Sequence, residues 1–113
     1  MLTVAGLGFV ALAVAAPDLL ATLYALIAHG DTVVDMTAGT RLGAALFGAL
    51  TVGWGLTLER LGRGDGVVRA AVIGIVAWYL VDSAASIALG FGWNALSNTG
   101  FVVVVLAILR PWR

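Results

Sequence analysis

Six of the polar side chains inside otherwise apolar stretches of this chain could act together: Asp18, Arg41, Asp82, Ser86, Asn94 and Asn98. Their types allow two kinds of chemistry. Carboxylates, amides and a guanidinium can pair with one another, or a carboxylate can hold a proton or a cation. A charge at the centre of a membrane helix costs about 2.5–3.5 kcal/mol on insertion scales, so each requires a partner. Counting 1.5 Å per residue from the arginine-rich end of each apolar segment puts Asp18 at about 24 Å, Asp82 at about 18 Å and Arg41 at about 25 Å, with Asn94 and Asn98 at about 17–23 Å. The expectation is one polar cluster in the outer half of a membrane, with Arg41 between Asp18 and Asp82, and with Ser83, Ser86, Asn94 and Asn98 closing it. As a structural device this is a salt-bridged pin that sets helix order. As a functional one it is a small-molecule or proton site open to the outside.

Other chemistry has no residues to carry it. The absence of cysteine excludes disulfides, thiolate metal sites and thiol catalysis. The lone histidine, His29, cannot build a metal site and reads as a solvated loop residue. No phosphate loop, nucleophile–base pair or metal-ligand spacing is present. The chain is therefore read as a non-enzyme, with no catalytic, cofactor-binding or metal residue assigned and no cofactor expected. With six arginines balanced by six acids there is no basic stripe for nucleic acid.

The elements that must position these residues follow from hydropathy. Hydrophobic residues make up 62% and charged residues 11% of the 113-residue chain, against about 25% charged in soluble domains. Lipid is the expected solvent. Four apolar segments, about 2–23, 40–58, 70–91 and 93–109, predict an all-α, integral membrane four-transmembrane-helix bundle forming a single domain over 1–113. Residues 1–16 resemble a signal-peptide core, but no basic residue precedes the apolar run, so the segment is read as the first helix. Pro17 either kinks this helix or ends it near Ala16 and opens a short second one; the segment 2–23 adopts the kinked reading.

Arginine placement predicts orientation. Arg60, Arg63 and Arg69 fall between the second and third segments, and Arg110 and Arg113 follow the fourth. Four crossings gather five of the six arginines on one side, which the positive-inside rule makes the cytoplasm. N- and C-termini are then cytoplasmic, in a multi-pass protein of a bacterial inner membrane.

Small residues recur at four-residue spacing, notably Gly39 and Gly43 in the second segment and Gly74, Trp78 and Asp82 in the third. Such stripes let helix backbones approach in lipid, so Gly39, Gly43, Gly74 and Trp78 form the candidate packing face. Trp78, one turn from Asp82, is also where a lipid, quinone or pigment contact would fall.

The order of features resembles the small four-helix bacterial membrane proteins called DoxX-like: an apolar first helix, Pro17 with Leu23-Tyr24, then Arg41-Leu42-Gly43-Ala44-Ala45 opening the second helix. Some such proteins resemble small subunits of quinone-linked redox complexes, and the resemblance transfers no catalytic residue. Two functions are expected from these observations. The first is a non-catalytic accessory subunit of a larger respiratory or photosynthetic membrane assembly, with the bilayer and neighbouring subunits as partners. The alternative is a small oligomeric transporter or channel using Asp82.

Overall fold

A computed structural model describes residues 1–28 and 35–109. His29, Arg110 and Arg113, used above, lie outside them. The described residues form five α-helices and no strand: α1 (Leu2–Ala15), α2 (Pro17–Ile27), α3 (Ala38–Gly62), α4 (Val67–Ala88) and α5 (Gly92–Leu109). Three of these, α3, α4 and α5, are long and apolar enough to cross a membrane. Large apolar side chains such as Phe47, Leu80, Phe101 and Ile108 stay exposed along them, as expected of a membrane protein.

The segment read as one kinked helix over 2–23 is two helices. A residue before proline is pushed out of the helical region, and Ala16 has φ −142° and ψ 62°. Pro17 then occupies the first turn of α2, where its missing N–H costs nothing. At 14 residues α1 spans about 21 Å, short of a hydrocarbon core of about 30 Å. Leu20 of α2 is fully buried in one cluster with Ala13, Ala44, Ala45 and Ala85.

The other ends have local causes. Thr37 caps α3, its Oγ1 accepting from the Thr40 N–H at 3.1 Å. Helices α3 and α4 both stop on a glycine with positive φ, Gly64 at 86° and Gly90 at 87°. At each end the two following N–H groups fold back: Asp65 to the Arg60 carbonyl and Gly64 to Leu61 on α3, Phe91 to Ser86 and Gly90 to Ile87 on α4. This paired closure satisfies carbonyls that lipid could not.

The helices stand side by side in the order α1–α3–α4–α5, and α1 also touches α4. The described residues measure 51 × 32 × 19 Å, an open row of helices. Neighbours run antiparallel. Gly6 of α1 crosses Gly48 of α3 so closely that a Cβ on Gly6 would lie 2.5 Å from the Gly48 carbonyl oxygen. Gly53 of α3 and Gly74 of α4 make a second crossing, with a Gly74 Cβ 2.5 Å from the Gly53 oxygen. In lipid such contacts rest on van der Waals packing, which only small residues permit.

The antiparallel row puts Met1, the turn after α3 and the end of α5 at one end. That turn carries its own ion pairs. Glu59 pairs with Arg63, while Asp65 lies 3.8 Å from both Arg60 and Arg69. The partner of Glu59 is thus one turn away, where helical geometry puts it.

Candidate functional site

Asp82 is 3% exposed and lies on the α4 face that meets α5. Its Oδ1 accepts three hydrogen bonds: from Asn98 Nδ2 at 2.7 Å, Asn94 Nδ2 at 2.9 Å and Ser86 Oγ at 3.1 Å. Asn94 Nδ2 also donates to Ser86 Oγ at 2.8 Å. A carboxylate only accepts, so both amides must turn their NH₂ groups inward. The pairing follows from periodicity. Asp82 and Ser86 are one turn apart on α4, Asn94 and Asn98 one turn apart on α5, and antiparallel packing sets the two pairs against each other. One turn away, Tyr79 Oη and Thr99 Oγ1 meet at 2.9 Å, a second polar tie across the same seam.

All donors to Asp82 are neutral. Among the described residues no basic side chain pairs with it, and Oδ2 receives no hydrogen bond. Ser83, expected in the network, turns away from it, and its buried Oγ has no partner among the described residues. One residue of advance rotates a side chain by about 100° round the helix, enough to leave the α5 seam.

Arg41 does something else. Its Nε donates to the Ala13 carbonyl and its Nη2 to the Val14 carbonyl, both at 2.8 Å. In a continuous helix these oxygens would accept from the backbone N–H groups at positions 17 and 18. Pro17 has no N–H, and the break at Ala16 turns the Asp18 N–H into a first-turn donor of α2. The guanidinium replaces both lost bonds. Its two parallel donors suit adjacent carbonyls as they suit a carboxylate. A cation at a helix C-terminus is favourable in addition. Asp18 is exposed, at the start of α2 where the helix dipole favours an anion, and joins neither group. The structure therefore brings Asp82, Ser86, Asn94 and Asn98 together and leaves Asp18 and Arg41 apart from them.

The four candidate packing residues divide. Gly74 is buried against Gly53 and Thr57, and Trp78 Cβ sits in the same crossing. Gly39 and Gly43 are exposed and meet no other helix closely among the described residues. A Cβ on Gly43 would meet nothing within 4 Å, and one on Gly39 only Thr37 Oγ1 at 3.8 Å.

Beside the polar network runs an open groove of 590 Å³, with α4 as its floor and α3 and α5 as its walls. Ala71, Gly74, Trp78 and Asp82 line the floor, and Trp54 and Phe101 stand in the walls. Trp78 and Phe101 pack edge to face, their centroids 5.6 Å apart at 81°. Phe101 was not singled out from the sequence. The signal was present, since Asn94, Asn98 and Phe101 fall at i, i+4 and i+7 on one face.

No family model, curated protein or solved structure matches this chain.

Proposed function

We propose that this protein is a non-catalytic accessory subunit of a larger membrane assembly, with a respiratory or photosynthetic electron-transfer complex of the bacterial inner membrane as host. The observation that carries the reading is the open row. Only 11% of the most apolar 18-residue window of α5 is buried, against 39% for α3. Helix α5 is held to one neighbour, α4, and its other sides are free among the described residues. On α3, Gly39 and Gly43 offer a second uncovered small-residue face, of the kind another helix backbone can approach. In this reading the Asp82 network is the pin that keeps α5 on the row, and Arg41 is the pin that keeps α1 on α3. The DoxX-like resemblance, carried by Pro17, Leu23-Tyr24 and Arg41 to Ala45, belongs with it.

The proposed topology has α1, continued by α2, as the first of four crossings. Met1, the arginine-bearing turn after α3 and the end of α5 then face the cytoplasm, on the strength of the arginine distribution. Purification from native membranes in mild detergent, followed by intact mass analysis, tests the function. Stoichiometric large membrane subunits are the expected companions. Recovery of this chain alone, or as a homo-oligomer, removes the accessory reading.

A second reading, a small oligomeric transporter or channel using Asp82, is favoured by one observation: Asp82 forms part of the groove wall. Flux of a substrate by the purified protein in vesicles, lost in Asp82→Asn, is its test.

A further inference from the structure

We infer that the groove between α3 and α5 is a binding site for an amphiphilic amine, with a protonated nitrogen at Asp82 and an apolar body lying along α4 toward Ala71. The inference uses the carboxylate of the transporter reading and deepens it by naming the class of guest, but does not require the guest to be moved.

Four observations carry it. First, Asp82 is 97% withdrawn from solvent yet lines the groove. Its Oδ1 is saturated by three donors, which leaves Oδ2 as the acceptor for a guest. Second, every donor to the carboxylate among the described residues is neutral, and Arg41 is committed to the carbonyls of Ala13 and Val14. A carboxylate in a low-dielectric site that has no counter-charge is stabilised by a cation that reaches it. A neutral hydroxyl would supply a hydrogen bond but no charge.

Third, the wall next to the carboxylate is aromatic. Trp78 precedes Asp82 by one helical turn, and Phe101 stacks edge-on against Trp78. An ammonium bound at Asp82 has these rings within a turn, and aromatic faces attract cations. Fourth, the size fits. The volume of 590 Å³ lies within the usual range for small-molecule sites, about 300–1,000 Å³. From Ala71 to Asp82 the floor rises about 16 Å along α4, room for an extended alkyl or aryl body.

The test is equilibrium binding to the full chain in phosphatidylcholine nanodiscs, with empty nanodiscs as background. The probes are dodecylamine and its neutral counterpart dodecanol, read by isothermal titration calorimetry. Wild type is expected to bind dodecylamine saturably, at one site, at least tenfold more tightly than dodecanol. Asp82→Asn keeps an oxygen that can accept from Asn94, Asn98 and Ser86, so the network persists without its charge. Its preference for the amine should fall to less than threefold. Ala71→Trp, which fills the far end of the groove without touching the network, should abolish saturable binding of both probes.

Equal affinity of wild type for the two probes overturns the inference with no variant needed. So does an amine preference that survives Asp82→Asn, or saturable binding that survives Ala71→Trp. Binding without flux of dodecylamine in vesicles leaves the site standing and removes the transporter reading alone.

Discussion

Arg41 and Pro17 form a coupled pair, and the coupling can be measured. Arg41→Ala withdraws two charge-assisted donors from the Ala13 and Val14 carbonyls. At about 1.5–3 kcal/mol each, the bonds sum to about 3–6 kcal/mol. Release of the arginine rotamers returns about 2 kcal/mol, so the expected net loss is about 1–4 kcal/mol. Pro17→Ala alone lets the helix continue through Ala16. It supplies an N–H for Ala13 and redirects that of Asp18 to Val14, and it also swings Leu20 away from the alanines it covers. Its own cost therefore says little, which is why the full cycle is required. On the Pro17→Ala background Arg41→Ala should cost under about 1 kcal/mol, because the carbonyls already have partners, giving a coupling of about 2 kcal/mol at the middle of the two ranges. The assay is titration with sodium dodecyl sulfate from a mild-detergent micelle, followed by far-ultraviolet circular dichroism. An equal cost of Arg41→Ala on both backgrounds, within about 0.5 kcal/mol, refutes the reasoning.

Three further outcomes are expected. In the same titration Asp82→Asn should change stability by less than about 1 kcal/mol, while Asp82→Ala should cost about 2–4 kcal/mol, because it strands the amides of Asn94 and Asn98 and the hydroxyl of Ser86; equal effects would show that the charge matters more than the acceptor. Gly74→Ala should separate α3 from α4 and destabilise by more than about 2 kcal/mol, a Cβ having no room against Thr57 and Gly53, whereas Gly43→Ala should be neutral or stabilise the isolated protein by up to about 1 kcal/mol while reducing recovery of partner subunits. Phosphatase and fluorescent-protein fusions at either terminus and at Gly64 should all report the cytoplasm, and a periplasmic C-terminus would overturn the even count of crossings.

Much of the polar seam between α4 and α5 was legible because periodicity alone assigns it. Asp82 with Ser86, and Asn94 with Asn98, each repeat at one turn, and a short connection between two apolar helices makes them antiparallel neighbours. The membrane setting was legible for a similar reason, since 62% hydrophobic residues cannot be arranged to cover a soluble surface of this size. The fate of Arg41 was not legible. A guanidinium in an apolar segment with aspartates at similar depth invites a salt bridge, and only the path of α1 beside α3 shows that backbone carbonyls are nearer. The sequence did carry the demand, in that Pro17 must orphan the Ala13 carbonyl, but nothing in a linear chain says which side chain will answer it.

What the chain by itself determined is what local rules govern: where helices begin and end, which residues share a face, and that lipid surrounds them. Glycine at positions 64 and 90 and threonine at 37 act within a turn of their own position, whereas Pro17 allows a kink or a break and only the structure shows the break. What only the tertiary structure decided is which faces meet. The open row, the two glycine crossings, the groove over α4 and the Asp82 oxygen left free among the described residues depend on how helices pack in three dimensions. In lipid, where no hydrophobic drive sorts one apolar face from another, that choice rests on close contacts between residues far apart in sequence.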